Sequence, residues 1–358
     1  MSKTGWGVVG YGVIGKTHAN AIVNAPDAEL TAVCDVDPKR EKILREHGFK
    51  VPFYASQKEM LRREPGIQAV SICTPSGLHC QGAVEAARAG RHVLSEKPLD
   101  ITLGHMDRMI AECDKAGVKL GCIFQKRTKQ TSLLVKQALQ KKILGKLVLG
   151  DCHQKYYRSP AYFKTAGWRG TWKIDGGGAL MNQAVHGIDM LLWLMGDVES
   201  VFTYTDRLAR DIEVEDTSVS VVRFKNGALG NIIGATSCVP GQRCRTMIHG
   251  EHGSILLEDD NLQCWIGKAV KGVHKPVEVD LAAKFGKNRS AAAREGAAND
   301  NTAISAEGHV AQVQDFCRAI TRNRAPMITG REARKAVELI LAIYKSWKTR
   351  KEVRLPLA

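Results

Sequence analysis

Gly10-Tyr11-Gly12-Val13-Ile14-Gly15 follows the apolar run Trp6–Val9 and opens a stretch of helical patterning, and Asp35 ends the next apolar run, Leu30–Cys34. Three glycines alone occur in many tight turns. Here strand, turn, helix, second strand and carboxylate stand in the order and at the spacing that a dinucleotide site requires. Gly10 suits the tight turn, Gly12 lets the backbone approach a pyrophosphate, and Gly15 lets helix and strand pack closely, with the helix N-terminus facing the phosphates. Tyr11, Val13 and Ile14 complete the loop. The Asp35 carboxylate can accept hydrogen bonds from both hydroxyls of an adenosine ribose, and its charge repels a 2′-phosphate. NAD is therefore expected in preference to NADP, with Lys39 and Arg40 near enough in sequence to soften that preference.

Outward from this loop, the first 125 residues alternate short apolar runs with helical segments, the further runs being Val70–Cys73, His92–Ser95 and Leu120–Phe124. Such alternation predicts βαβ units and a parallel sheet. Asp37-Pro38 opens a helix that Gly48 closes, Ser56 is placed to cap the next, and Asp100–Ala116 keeps helical periodicity up to Gly117. From Lys146 the pattern changes. Strand-like runs follow one another at Leu147–Tyr157, Val198–Thr205, Ser218–Phe224, Ala228–Ala235, Thr246–His249 and Ser254–Leu257, with Asn226-Gly227 as a hairpin signal. The apolar stretch Ala179–Met195 predicts a buried helix stopped by Gly196. Lys284–Thr302 holds few large apolar residues and predicts a mobile loop, and helices at Gly308–Thr321 and Arg331–Thr349 close the chain. The expected class is α/β: a dinucleotide-binding domain over 1–125, then a second α/β domain over 126–358 built on a large open, mainly antiparallel sheet.

The 358 residues are 44% hydrophobic and 25% charged, enough for two ordinary hydrophobic cores. No run reaches the roughly 18 apolar residues of a membrane span. The opening Met1–Trp6 does not resemble a secretory signal, so a cytoplasmic protein without membrane partners is expected. Ten cysteines, with Cys34, Cys73 and Cys122 in apolar runs and no C-x-x-C pair, read as reduced core thiols. A net charge of +15, from 52 Lys and Arg against 37 Asp and Glu, favours anionic partners. Nucleic acid is not expected among them: apart from Lys345–Arg354 the basic residues are scattered, and aromatics at 6% leave little for base stacking. His249-Gly250-Glu251-His252-Gly253 suggests a metal pair, but its glycines mark a hairpin and no third ligand is near in sequence, so no metal is expected.

Thr74-Pro75-Ser76-Gly77-Leu78-His79 after the fourth strand, Glu96-Lys97-Pro98 after the fifth, and Gly176-Gly177-Gly178 running on to Asn182, His186 and Asp189 resemble the glucose-fructose oxidoreductase/inositol dehydrogenase (Gfo/Idh/MocA) family. The likeness spans the chain, including His309 ahead of Gln314-Asp315-Phe316 and the closing Val353–Leu357. It implies an N-terminal Rossmann domain, an α/β substrate domain on an open sheet, and NAD(P)-dependent redox chemistry on sugars or cyclitols. It also implies that Thr74, Pro75, Ser76, His79 and Glu96 surround the cofactor, that Lys97 binds the reacting hydroxyl beside it, that His186 accepts the proton, and that Pro98 follows a cis peptide bond. The chemistry agrees: oxidising a secondary alcohol needs a hydride acceptor, a base for the hydroxyl proton and a cation for the developing alkoxide.

The sequence departs from the commonest pattern of that family at Asn182, where many members carry Asp. Four residues is one helical turn, so Asn182 and His186 are expected on one face. An Asp there raises the histidine pKa, whereas Asn orients substrate or ring without adding charge; Asp189 lies on roughly the same face. Arg127 at the domain junction, Tyr156 with the adjoining Tyr157-Arg158, Trp168 and Arg169 are expected on the substrate side, because Arg grips carboxylate or phosphate and flat rings pack on sugar C–H faces. His309 joins them from a late helix. Positive charge with Arg127, Arg158 and Arg169 inclines the reading toward an acidic sugar, such as a uronate or nucleotide-sugar. The rivals are a redox-neutral enzyme that oxidises a glycoside transiently so that it can be cleaved, and a non-catalytic NAD sensor. An open sheet covered on one face predicts a homodimer or homotetramer.

Overall fold

The computed structural model describes residues 3–259, 261–268, 278–280 and 306–357; the segment Lys284–Thr302 lies outside them. The chain divides into two compact units. The first comprises Met1–Gln125, Lys173–Gly176 and Ser305–Val337, and the second comprises Lys126–Trp172, Gly177–Ile304 and Glu338–Ala358.

In the first unit, β1 (Thr4–Val9), β2 (Ala28–Cys34), β3 (Phe53–Tyr54), β4 (Ile67–Ile72), β5 (His92–Ser95) and β6 (Leu120–Cys122) form a parallel sheet in the order β3-β2-β1-β4-β5-β6. That is the doubly wound order in which ligands bind beyond the carboxyl ends of the strands, where the order reverses. β1 is buried along its whole length, as strands covered on both faces must be. The cap expected of Ser56 is present: its side chain accepts the Glu59 N–H at 3.2 Å. The late helix Glu307–Thr321 belongs to this unit although the sequence pattern assigned its residues to the second domain. Its residues Val313, Phe316 and Cys317 enter the core around Trp6 and Ile22, with the Trp6 and Phe316 rings 5.7 Å apart and Trp6 Nε1 donating to Cys317 Sγ at 3.3 Å. Apolar periodicity shows that a helix has a buried face, but not which sheet covers it.

The second unit carries a nine-stranded sheet. Its strands are β7 (Leu147–Lys155), β8 (Val198–Asp206), β9 (Thr217–Phe224), β10 (Leu229–Ala235), β11 (Arg245–Gly250), β12 (Gly253–Glu258), β13 (Asn261–Lys268), β14 (Glu278–Asp280) and β15 (Val353–Arg354), in the order β14-β13-β12-β11-β7-β10-β9-β8-β15. Every pairing is antiparallel except β7 with β10. The Asn226-Gly227 turn joins β9 to β10 with Gly227 at φ +88°, as its hairpin signal requires. The expected helix over Ala179–Met195 is divided. Ala179–Ala184 is a π-helical turn, Val185–Met195 is α-helical, and Gly196 ends it at φ +92°. Among the described residues no helix is long and apolar enough to cross a membrane.

Candidate active site

The glycine turn at the end of β1 has the shape that its sequence implies. Gly10 sits at φ +89°, and a Cβ on Gly15 would stand 2.0 Å from the Gly10 carbonyl oxygen, so neither position admits a side chain. A Cβ on Gly12 would meet nothing within 4 Å. Beside that space the helix Val13–Asn24 begins with no side chain capping its N–H groups, an arrangement suited to phosphate. Val13 is 64% exposed at the turn, while Ile14 packs against the core and Tyr11 is part of it. Asp35 shapes the turn as well as facing it: Oδ2 accepts the Tyr11 N–H at 2.6 Å and Oδ1 accepts the Asp37 N–H at 2.8 Å. Thr74 Oγ1, on the neighbouring loop, is buried with no hydrogen-bond partner. Glycine turn, open helix start, carboxylate and orphaned hydroxyl together fit a dinucleotide.

Next to this loop, Pro75 precedes a short 3-10 turn, Ser76–Leu78. His79 is buried with Nδ1 2.8 Å from the Pro98 carbonyl oxygen and Nε2 2.9 Å from that of Thr74, so its ring ties the two loops together. The Lys97-Pro98 peptide is cis, as expected. Glu96, 4% exposed, faces inward: Oε1 lies 2.8 Å from His18 Nε2 and 3.4 Å from His309 Nε2, and Oε2 accepts the Lys97 N–H at 3.0 Å. Burial pushes this carboxyl up, but the hydrogen bonds and charges of the two histidines outweigh it and hold the group well below the usual carboxylate range. His18 moves down from its ordinary value because burial outweighs the pull of Glu96. His309, expected on the substrate side, is thus in the first unit at 1% exposure, packed edge-to-face on the His18 ring at 5.3 Å. The ligand atoms of His18, Glu96 and His309 lie within 4.8 Å of one another, close enough to hold a metal. Both nitrogens of His18 already have protein partners, however, since Nδ1 is 3.0 Å from Ser71 Oγ.

In the second unit, Asn182 lies on the π-helical turn and His186 in the first turn of the α-helix that follows. Arg127 is 4% exposed and grips Asp189 of that helix through two hydrogen bonds, Nε to Oδ2 at 2.8 Å and Nη2 to Oδ1 at 2.6 Å. Its guanidinium also lies 5.4 Å from the centre of the Trp193 ring. Asp189, on roughly the same helix face as His186, is therefore engaged by Arg127.

A second arginine group surrounds Tyr162. The Arg158 guanidinium stands 5.2 Å from the Tyr156 ring centre and 5.6 Å from that of Tyr162, and Arg169 stands 4.5 Å from Tyr162 and 4.8 Å from Trp168. Arg169 Nη1 donates to the Tyr162 hydroxyl at 2.5 Å, and Gln183 Nε2 does so at 3.2 Å. Arg169 Nε is buried with no hydrogen-bond partner. Burial pulls Arg158 below the ordinary guanidinium value, so the cluster favours an anion. Tyr162 and Gln183 carry no sequence signal, because Ser159–Lys164 holds no motif and Gln183 lies in Ala179–Met195, which reads only as a buried helix. His249, on β11, pairs its Nδ1 with Ser254 Oγ at 2.7 Å.

Residues 4–124 match the family model described as an oxidoreductase family with an NAD-binding Rossmann fold, and residues 132–256 match the GFO/IDH/MocA C-terminal domain. The chain is 31% identical over 261 residues to the myo-inositol 2-dehydrogenase of Thermotoga maritima, covering 71% of this chain and 75% of that one. It is 27% identical over 292 residues to the levoglucosan dehydrogenase of Pseudarthrobacter phenanthrenivorans, covering 72% and 74%. Its fold superposes on the WlbA dehydrogenase of Bordetella pertussis, crystallised with NADH and UDP-GlcNAcA, with a TM-score of 0.83 and 33% identity over 99% of this chain and 100% of that one.

Proposed function

We infer that this chain, which belongs to the Gfo/Idh/MocA family of NAD-dependent sugar oxidoreductases, oxidises a ring hydroxyl of a nucleotide-linked sugar acid. The observation that carries the substrate class is the arginine pair over Tyr162. Among the described residues no carboxylate pairs with Arg169, and one of its donor nitrogens is buried without an acceptor. An unused buried donor costs stability that a bound carboxylate or phosphate returns. The UDP-GlcNAcA in the WlbA complex, an acidic nucleotide-sugar, supports the same class.

NAD, held by the Gly10–Gly15 turn, Asp35 and Thr74, supplies the hydride acceptor. The Asp35 carboxylate favours NAD over NADP, because a 2′-phosphate placed there meets like charge. Val36, 89% exposed beside Asp35, offers apolar surface to an adenine. Lys97 hydrogen-bonds the hydroxyl being oxidised and offsets alkoxide charge, His186 takes the proton, and Asn182 orients the substrate or the ring. Pro75, Ser76 and His79 shape the cofactor loop, and Tyr156 and Trp168 face the sugar. The first unit so forms the cofactor domain and the second the substrate domain.

The protein works in the cytoplasm as a homo-oligomer in this reading. All ten cysteines are free thiols, eight of them buried, a state kept in a reducing compartment. One face of the nine-stranded sheet exposes Tyr204, Val219, Val221, Leu229 and Leu149, an apolar patch that a second copy buries.

The test is growth of absorbance near 340 nm when the protein is mixed with NAD and, separately, with neutral sugars, cyclitols, free uronates and nucleotide-linked uronates. Growth confined to the last class is expected. Growth only with neutral sugars overturns the substrate class, and no growth with NAD retained on the protein favours the redox-neutral rival.

A further inference from the structure

Glu215, just ahead of β9, is wholly buried. Its Oε2 accepts the Gly178 N–H at 2.9 Å, and its Oε1 accepts the Leu180 N–H at 2.8 Å and the Tyr344 hydroxyl at 2.9 Å. Its main-chain oxygen accepts the Ala179 N–H at 3.1 Å. One residue thereby takes up three consecutive backbone donors where the π-helical turn begins. The backbone is moulded around it: a Cβ on Gly178 would stand 1.8 Å from the Glu215 carbonyl oxygen, and one on Gly177 2.1 Å from the Tyr344 hydroxyl. The two glycines, read from sequence as part of a family motif, are there because Glu215 and Tyr344 occupy the space of their side chains.

Burying a carboxylate is costly unless donors surround it, and here two backbone N–H groups, a phenol and the positive end of a helix do so. Asn182 lies two residues beyond the last of these donors and His186 six. We propose that Glu215 is a positioning residue for Asn182 and His186, fixing the start and register of the turn and helix that carry them. The proposal rests on the reading of those two residues as acting on the substrate.

Glu215→Gln keeps the volume but replaces one acceptor oxygen by an amide donor facing a backbone donor. Tyr344→Phe removes a single donor and keeps the rest. Turnover of each full-length variant is measured on whichever sugar the wild type oxidises, with NAD affinity followed by tryptophan fluorescence. Displacing a catalytic group by about 1 Å costs on the order of 100-fold, so kcat is expected to fall at least ~10-fold in Glu215→Gln and by a smaller factor in Tyr344→Phe, with NAD affinity within about 2-fold in both. On a His186→Ala background Glu215→Gln is expected to add little, because coupled residues are not additive. A folded Glu215→Gln variant with wild-type kcat overturns the proposal, as do losses that simply multiply with His186→Ala. If Glu215→Gln does not fold, Tyr344→Phe decides by the same reading. A fully active His186→Ala variant would instead bring down the assignment of His186 as base, before Glu215 is altered.

Discussion

His18 Nε2 lies 2.8 Å from Glu96 Oε1, two buried side chains of the first unit, and the other oxygen of the same carboxylate holds the N–H of Lys97. The lysine proposed to bind the reacting hydroxyl is thus fixed from behind by a residue that faces the core. Removing the Glu96 carboxylate takes the acceptor from buried donors, the His18 ring among them, at roughly 1 to 3 kcal/mol for each one. Glu96→Ala is expected to destabilise the protein by that order in chemical denaturation. Glu96→Gln, which keeps a hydrogen bond to His18, should cost clearly less. Equal losses in the two variants would show that the charge of Glu96 contributes nothing.

Two of the buried titrating groups, His18 and Glu215, give opposite pH dependences. His18 has a folded pKa below its ordinary value of about 6.5, so the unfolded chain binds its proton first on acidification. Its contribution to stability is present above that value and is lost as pH falls through the folded pKa. Glu215 is the reverse. Burial drives its carboxyl up to about 7, against the pull of Leu180, Gly178 and Tyr344. Its contribution is present below about 4.3, the unfolded value, and is lost as pH rises toward 7, a swing on the order of 3 kcal/mol. Denaturation midpoints between pH 5 and 7 should therefore rise more steeply with pH in Glu215→Gln than in wild type, and less steeply in His18→Asn. Parallel curves for all three proteins would contradict both assignments.

Arg127 and Asp189 form a desolvated, two-bond ion pair, with Asp189 three residues beyond His186 on the same helix. Arg127→Leu alone strands the buried Asp189 and is expected to cost about 3 to 5 kcal/mol. Arg127→Leu with Asp189→Leu should recover much of that loss, because no charge is then left unpaired. A double variant as unstable as the sum of the singles would show that the two side chains act independently.

How much of this was legible in the chain depends on how far each signal reached. The cofactor half was legible because its determinants are local: Gly10, Gly15 and Asp35 act through backbone geometry within one βαβ unit. The hairpin at Asn226-Gly227 was legible for the same reason, whereas the cis peptide before Pro98 was expected only from the family resemblance. His309 was expected on the substrate side and lies in the first unit, because helical periodicity does not say whether a late helix covers the first sheet or the second; Trp6 and Phe316 decide that across some 310 residues of chain. Glu215 gave no signal at all, since a Glu followed by Asp and Thr ahead of a strand looks like a solvated turn. Only the fold brings it to Gly178. The π-helical turn was equally hidden, because Ala179–Met195 has the composition of an ordinary buried helix.

Arg169 is proposed to hold the acidic group of the substrate, and its removal is expected to separate substrate recognition from everything else. It stacks between Tyr162 and Trp168, and an uncharged replacement leaves the Glu215, Arg127 and Glu96 contacts intact. Loss of one charge-assisted contact to an acidic substrate is worth roughly 1.5 to 3 kcal/mol, a factor of about 10 to 100. Arg169→Gln is accordingly expected to raise KM for a nucleotide-linked uronate by at least ~10-fold, with kcat changed less than about 3-fold and NAD affinity unaltered. Arg169→Lys should not restore KM, because an ammonium has neither the planar face that stacks on two rings nor the fork that holds a carboxylate. An Arg169→Gln enzyme whose KM is unchanged would place the acidic group of the substrate elsewhere, and full rescue by lysine would reduce the role of Arg169 to that of a point charge.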